Sequence, residues 1–318
     1  MLRNGMEQQE YYRSFSSYLK QKYNTKVWRL PVDTGRSCPN RLNGKPGCSF
    51  CDGTSFLPDY LDASDSLEQQ LDKGRLFYQN RLGVNLFLGY FQANTNTYGP
   101  IEDLLAEYEF VLSKEYIVGI IISTRPDYIN TAIISEINQL SKKWGKEVWI
   151  ELGLQSVYDK TLLRIHRGHS YSDFCKAVTI INTISPDIKI AAHMILGLPG
   201  ESYEMIVEGN KKLFHDNTIH GVKYRPLDLS ENTGIYNDYI KNPDDFLRFD
   251  DVLYVRLLCD IITSIPDNII IMRFANYKSF TNVATSEAKY TKGTILRMLN
   301  EALKTSKENL RKNSIDLV

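Results

Sequence analysis

The chain has 318 residues, and its 38 basic and 38 acidic side chains give a formal net charge of zero. This length can bury a large core and fits one α/β domain with a short appendage. The balanced charge removes the simplest argument for a nucleic-acid-binding protein, which usually has a basic excess on one face. No apolar run reaches the length of a membrane span, and the N-terminus lacks the apolar core of a signal peptide. We therefore expect a cytoplasmic protein with no membrane partner.

Hydrophobic periodicity predicts alternating strands and helices. Aromatic and apolar residues spaced three and four apart from Tyr11 to Leu19 indicate a helix before about residue 24. Apolar runs then predict strands at 26–30, 84–91, 118–123, 147–153, 189–196 and 220–225. Amphipathic segments predict helices at 64–81, 100–115, 130–144, 158–183 (with a break near 167–169) and 201–217.

Strands that are apolar almost throughout are typical of a parallel sheet buried on both faces. About six βα units are fewer than the eight of a closed barrel, so we expect an α/β fold of the partial (β/α)6 TIM-like type. We assign residues 1–250, including the N-terminal helix, to this core. Residues 251–318 are expected to form a mainly helical C-terminal extension that caps the open side or binds a partner.

Three cysteines follow the first predicted strand of this core. Cys38, Cys48 and Cys51 form the pattern C-x9-C-x2-C. A structural zinc site needs four protein ligands, whereas three thiolates suit an iron–sulfur cluster with one iron open to a ligand from outside the protein. The remaining cysteines, Cys175 and Cys259, lie in apolar stretches, where free cysteine behaves as a small buried hydrophobe.

Other interpretations of the cysteines stay open at this point. A structural zinc ion could take a fourth ligand from a distant Cys or His. A disulfide is disfavoured by the odd number of cysteines and the predicted reducing compartment. A thiol redox pair of Cys48 and Cys51 would leave Cys38 without a role.

Polar residues also follow the later predicted strands, where a parallel α/β fold carries its site. They occur at 92–98, 123–127, 151–156, 197–201 and 225–228. Each segment alone is equally compatible with an ordinary turn. Their recurrence at equivalent strand ends favours a shared functional site.

These segments, in this order, resemble those of the radical S-adenosylmethionine (SAM) enzymes, and within them the small elongator-like family of YhcC-type proteins. The resemblance covers about residues 20–225. It is carried, besides the cysteines, by 90–98, Thr124-Arg125-Pro126-Asp127, 151–156, Arg167-Gly168-His169 and 193–201. We expect no acetyltransferase domain of the kind that the elongator subunit carries.

The resemblance implies a cofactor set and a reaction. Cys38, Cys48 and Cys51 would hold a [4Fe–4S] cluster, and the amino and carboxylate groups of SAM would chelate the fourth iron. Reductive cleavage of SAM would then give a 5′-deoxyadenosyl radical that abstracts hydrogen from a substrate. An electron donor such as flavodoxin or ferredoxin is the implied partner.

The resemblance also implies roles for residues at the strand ends. Phe50 would pack near the adenine, Gln155 would contact the ribose, and Arg167 would bind the carboxylate of SAM. Asn94 occupies the turn that binds the amino group in relatives, and Glu151 would either assist at the ribose or amino group or pair with Arg125. The remaining implied contacts are those of the adenine with the backbone at Gly197 and Gly200.

Two histidines and the substrate are left open. His169 and His193 are at least as well explained as satisfied hydrogen-bonding residues as by a functional role. The family's usual His-Pro-Leu-His segment is replaced here by residues 225–228, where substrate would be expected. RNA (such as tRNA), a small metabolite and a peptide side chain all remain as substrates. The non-enzymatic alternative is a zinc- or cluster-binding module that binds RNA or SAM.

Overall fold

The computed structural model describes residues 11–52, 58, 60–62, 64–274 and 291–315. In this part of the chain, eight parallel strands form one sheet in the order β1-β8-β7-β6-β5-β4-β3-β2, which curls into a partial barrel. The strands are β1 (Arg13–Ser14), β2 (Val27–Val32), β3 (Leu86–Phe91), β4 (Ile117–Thr124), β5 (Glu147–Gln155), β6 (Lys189–Leu196), β7 (Gly221–Pro226) and β8 (Ile270–Arg273).

Helices connect the strands and cover the outer face of the sheet. Several begin at a serine, asparagine or aspartate whose side chain accepts a hydrogen bond from the first helical turn, as at Ser66, Asn130 and Asp250. The helices are α1 (Phe15–Tyr23), α2 (Leu67–Leu82), α3 (Ile101–Leu112), α4 (Thr131–Trp144), α5 (Asp159–Arg164), α6 (Tyr171–Ile184), α7 (Tyr203–Asp216), α8 (Gly234–Lys241), α9 (Asp251–Ser264) and α10 (Lys292–Ile315). None of those in the described ranges is long and apolar enough to cross a membrane.

The predicted partial barrel is confirmed, and all six predicted strands are present as β2 to β7. The predicted helix 158–183 is two helices, α5 and α6, separated near the expected break. The first helix begins only at Phe15, so its predicted start was wrong. Two short strands at one edge, β1 and β8, were not predicted. Two residues are too few to give a periodic signal for β1, whereas β8 lies in the apolar run 269–272 after a turn signal, which the prediction overlooked.

Helix α1 closes the amino-terminal end of the barrel. Phe15 and Tyr18 pack edge-on against the buried Trp149 of β5, with ring centroids 5.4 and 5.9 Å apart. At the start of the same strand, Glu147 accepts hydrogen bonds from Tyr18 and, at 3.1 Å, from Tyr23. This end of the barrel is therefore filled, and space for a site remains at the carboxyl ends of the strands.

The close packing of β4 against β5 at the amino-terminal end of the barrel can be tested by a substitution. A Cβ atom added at Gly119 would overlap the carbonyl oxygen of Glu147 on the neighbouring strand and lie 3.0 Å from Leu88. We expect Gly119→Ala to lower the free energy of unfolding by about 1–3 kcal/mol, the usual cost of overpacking. Urea denaturation followed by circular dichroism measures this change.

The control is Gly293→Ala in α10, where the added atom meets only Thr291, at 3.8 Å. Alanine has the better helix propensity, so this variant should be as stable as the wild type or slightly more stable. Equal stability of the two variants would contradict the described packing of β4 against β5.

Candidate active site

The inward-facing side chains change from apolar to polar as the strands run towards their carboxyl ends. Alternate residues of a strand face the same side of the sheet. On β5 the inward series is Trp149 and then Glu151, and on β4 it is Ile121 and then Ser123. On β6 the same change occurs from Ala191 to His193. On β7 it occurs from Gly221 to Lys223 and Arg225.

This polar half of the interior opens into a cavity of about 620 Å³. All three cysteines of the triad line it, together with residues from the ends of β3 to β8. Its charged and polar lining side chains are Arg81, Gln92, Asn94, Thr95, Ser123, Thr124, Arg125, Glu151, Gln155, Arg167, His193, Lys223, Arg225, Asp228 and Arg273. Aromatic side chains of Phe50, Tyr60, Phe77 and Tyr78 complete the wall.

Hydrogen bonds fix the cysteine loop over the cavity. Cys38 begins a short 3-10 turn, and the amide of Cys51 donates to the Cys48 carbonyl at 3.0 Å. The Cys48 sulfur accepts hydrogen bonds from Asn40 at 3.3 Å and from Arg167 at 3.5 Å. These bonds hold the Cys48 sulfur at the wall of the cavity.

Of the five cysteines, these three line the cavity. Cys175 lies on α6 and Cys259 on α9, where both pack with the apolar core, as the sequence predicted. Within the described ranges, no three His, Cys, Asp or Glu side chains lie close enough together to hold one metal ion.

Gln155 carries two features of a ligand-binding residue. Its backbone has φ of +73°, in the left-handed region that residues other than glycine rarely adopt, and the β5–β6 register shifts beside it. Its side-chain Oε1 atom is buried without a hydrogen-bond partner. An unsatisfied buried acceptor costs about 1–3 kcal/mol, so a donor from a bound molecule would be stabilised here.

Two arginines lie beside the cysteine loop. Arg167 donates to the Gly153 carbonyl at 2.7 Å as well as to Cys48. Arg125 donates to Asp127 through two nitrogens, at 2.9 and 2.7 Å, while its Nη1 atom is buried without a partner. Both guanidinium groups border the cavity and add positive charge next to the thiols.

A buried charge network occupies the interior behind these residues. Glu151 lies 2.7 Å from the Lys223 ammonium, and the Tyr90 hydroxyl donates to it at 3.1 Å. Burial would raise the pKa of Glu151, but the charge of Lys223 and its hydrogen bond to the carboxylate overcome this and lower the pKa to about 2. Arg125, the alternative partner considered for Glu151, was the wrong one, because it is paired with Asp127 instead.

Comparison with known proteins identifies this arrangement. The family model described as the radical SAM superfamily matches residues 32–210, which include the cysteine loop and strands up to β6. The chain belongs to the radical SAM superfamily.

Full-length relatives support the assignment within the superfamily. The uncharacterized protein MJ0486 of Methanocaldococcus jannaschii is 32% identical over 92% of this chain and 89% of its own length. Protein YhcC of Escherichia coli K12 is 33% identical over 70% of this chain and 71% of its own length. The sequence resemblance to YhcC-type radical SAM proteins is thus confirmed.

The fold and part of the sequence are also similar to elongator-type proteins. The structure of Elp3 from Methanocaldococcus infernus aligns with a TM-score of 0.65 at 20% identity, covering 88% of this chain and 63% of that one. The tRNA uridine(34) acetyltransferase of the same organism is 36% identical over 39% of this chain and 22% of its own length.

The radical SAM fold brings most of the predicted site residues together. Lining the cavity are Cys38, Cys48, Cys51, Phe50, Asn94, Glu151, Gln155 and Arg167. Gly197 and Gly200 are not among its lining residues. Gly197 lies under Phe249, whose ring would be 2.7 Å from an added Cβ atom, and the Gly200 amide donates to the Asp245 carbonyl.

The two histidines differ from each other. Both ring nitrogens of His169 face a carbonyl, that of Gly153 at 3.0 Å and that of Ser170 at 3.2 Å, and the single N–H of the neutral ring donates to one of them, as expected for a structural residue. His193 lines the cavity, and its Nε2 atom is buried without a partner. Sequence reasoning missed Lys223 and Arg273, although the inward alternation of β7 would have indicated the former.

The buried pair of Glu151 and Lys223 gives a stability test. Glu151→Gln would leave the ammonium buried without its carboxylate, so unfolding free energy at pH 7 should fall by about 3 kcal/mol. Because the pKa of Glu151 is lower in the folded state, its stabilisation is present above about pH 4.5 and is lost as the pH falls towards 2. Urea denaturation across this pH range measures both effects.

The double variant Glu151→Gln/Lys223→Met should recover most of the lost stability, because it removes the unpaired charge. Glu208→Gln, which removes an exposed partner of Lys211, is the control and should cost less than about 1 kcal/mol. A Glu151→Gln variant as stable as this control would show that the pair is not buried as described.

Proposed function

We propose that this chain is a radical SAM enzyme whose cavity at the strand ends holds a [4Fe–4S] cluster on Cys38, Cys48 and Cys51 and one molecule of SAM. The observation that carries the proposal is that three thiols, and no fourth cysteine, face a cavity with unsatisfied polar groups. The family to which the chain belongs typically uses both groups. When bound, they supply reductive cleavage of SAM and thereby hydrogen abstraction from a substrate.

The cysteine loop fits a cluster better than it fits a redox pair or a zinc site. A redox pair would use two thiols, but the third, Cys38, also faces the cavity. A zinc site would need a fourth protein ligand, yet both other cysteines are packed on the helices, and no three His, Cys, Asp or Glu side chains of the described residues, His193 included, lie close enough together to hold one metal ion. An iron left open by three thiolates is free to bind the amino and carboxylate groups of SAM.

Neighbouring side chains can orient SAM. Arg167, beside Cys48, would bind its carboxylate, since guanidinium and carboxylate form paired hydrogen bonds. The unsatisfied Oε1 atom of Gln155 would accept a hydrogen bond from a ribose hydroxyl. Phe50 would pack against the adenine, and Asn94 would lie near the amino group. A contact of the adenine with the backbone at Gly197 would require Phe249 to move, and a hydrogen bond to the Gly200 amide would replace the one that this amide donates to Asp245.

Two further parts of the proposal concern partners. The electron would come from a donor protein such as flavodoxin or ferredoxin in the cytoplasm. An RNA substrate is supported by the partial sequence similarity to a tRNA uridine(34) acetyltransferase. A small metabolite is supported by the cavity volume of about 620 Å³, which is within the usual range for small-molecule sites.

Cysteine variants test the cluster ligands. Cys38→Ala, Cys48→Ala and Cys51→Ala should each lose the broad absorption near roughly 400 nm after anaerobic reconstitution, because each removes one of three thiolates. SAM cleavage to 5′-deoxyadenosine under dithionite should fall by more than about a hundredfold. The measurements are iron content, ultraviolet–visible absorption and chromatography of the nucleoside.

Cys175→Ala is the matched control, since this cysteine lies on α6 away from the cavity. It should retain iron and SAM cleavage. Loss of iron in this variant as in the others, or stoichiometric zinc in the wild type, would contradict the proposed cluster site.

Gln155→Gly tests the role of the unsatisfied amide. Glycine accepts the backbone conformation at this position, so the change removes the side chain without adding strain. We expect the Kd for SAM to rise by about tenfold, corresponding to one lost hydrogen bond in a buried site. Equilibrium dialysis with radiolabelled SAM and reconstituted, unreduced protein measures this change.

Asn24→Gly is the control, because Asn24 also has positive φ, at 52°, but is exposed at the end of α1. Its affinity for SAM should equal that of the wild type. If Gln155→Gly also binds SAM normally, Gln155 has no part in SAM binding.

A further inference from the structure

An excess of positive charge lies in the barrel interior next to Glu151. Four cations, which we call the basic cluster, are Arg29 of β2, Lys223 and Arg225 of β7, and Arg273 of β8. Lys223 is paired with Glu151 at 2.7 Å, and Arg225 with Asp228 at 3.2 Å. Within the described part of the chain, neither Arg29 nor Arg273 has a carboxylate partner.

The charges of this cluster repel one another. Burial, followed by the neighbouring charge of Arg29, lowers the pKa of Arg273 to about 10, so it remains protonated at neutral pH. His193 is neutral there, because burial and the Lys223 charge lower its pKa well below the usual value. Like charges held together away from water are unfavourable unless a counter-charge is bound.

Unused hydrogen-bonding capacity accompanies the charge. The Nη1 atom of Arg29 and the Nε2 atom of His193 are buried without partners. His193, Lys223, Arg225 and Arg273 all line the cavity that the cysteines border. One molecule in the cavity can therefore contact cations of the basic cluster while it also contacts the cysteine loop.

We infer that the basic cluster binds an anionic group of the substrate, a carboxylate or a phosphate. Arginine side chains suit both groups, because the planar guanidinium donates two parallel hydrogen bonds to them. This inference rests on the proposed function, since it gives the substrate class for the same cavity. Arg167, which contacts Cys48, is not part of the basic cluster and would bind the carboxylate of SAM. The carboxylate of SAM and the anionic group of the substrate would therefore bind to different side chains.

The test is equilibrium dialysis of reconstituted holoenzyme saturated with SAM, without reductant and at constant ionic strength. The probes are radiolabelled inorganic phosphate and radiolabelled succinate, and the preferred probe shows whether the group is a phosphate or a carboxylate. Arg273→Gln should weaken binding of that probe at least tenfold. Asp228→Asn, which removes a negative charge from the same wall, should tighten it severalfold.

Arg248→Gln is the control, because Arg248 is exposed and does not line the cavity; it should bind the probe as the wild type does. Absence of saturable binding of both probes to wild-type protein that binds SAM would overturn this inference and leave the proposed function intact. Equal effects of Arg273→Gln and Arg248→Gln, or saturable binding of the probe that occurs only when SAM is left out of the dialysis, would also overturn it. Failure of the wild type to bind a cluster or SAM would overturn the proposed function itself.

Discussion

The parallel direction of the strands is the constraint on which the rest of this structure depends. Because every strand of the described sheet runs the same way, all carboxyl ends lie along one edge of the barrel. Alternate residues then bring the side chains of the strands β2 to β8 into one interior space. Apolar groups such as Trp149 fill its amino-terminal half, and helix α1 closes it. The carboxyl half is left for polar chemistry.

Some polar groups in that half are paired with each other, whereas others lack hydrogen-bond partners within the protein. Glu151 and Lys223 balance each other's charge, as do Asp228 and Arg225, so among the described residues the excess positive charge of the interior is that of Arg29 and Arg273. Gln155, Arg125 and His193 instead retain buried atoms without partners. Since unsatisfied buried groups are costly, their concentration around one cavity is best explained by ligands that complete their hydrogen bonds. The thiols and the basic cluster then define two ends of a shared binding space.

Much of this organisation could be predicted from the sequence. Apolar residues predominate in the strands β2 to β7, which have six to nine residues each, and the loops after them carry polar residues. The partial barrel and the position of its site at the carboxyl ends of the strands therefore follow from the sequence pattern. The two-residue strand β1 leaves no comparable pattern, and the pairing of Arg125 with Asp127 instead of Glu151 depends on side-chain geometry. Gly197 and Gly200 follow the correct strand, yet Phe249 and Asp245 from a distant segment cover them. Such long-range packing is not encoded in local spacing.

The central claim is that three cysteines hold a four-iron cluster and leave one iron open to SAM. Electron paramagnetic resonance of anaerobically reconstituted, dithionite-reduced protein tests it most directly, together with iron analysis. We predict about four irons per chain and a reduced-cluster spectrum whose g-values shift when SAM is added. A spectrum unchanged by saturating SAM, or a protein that takes up zinc and no iron, would contradict the claim.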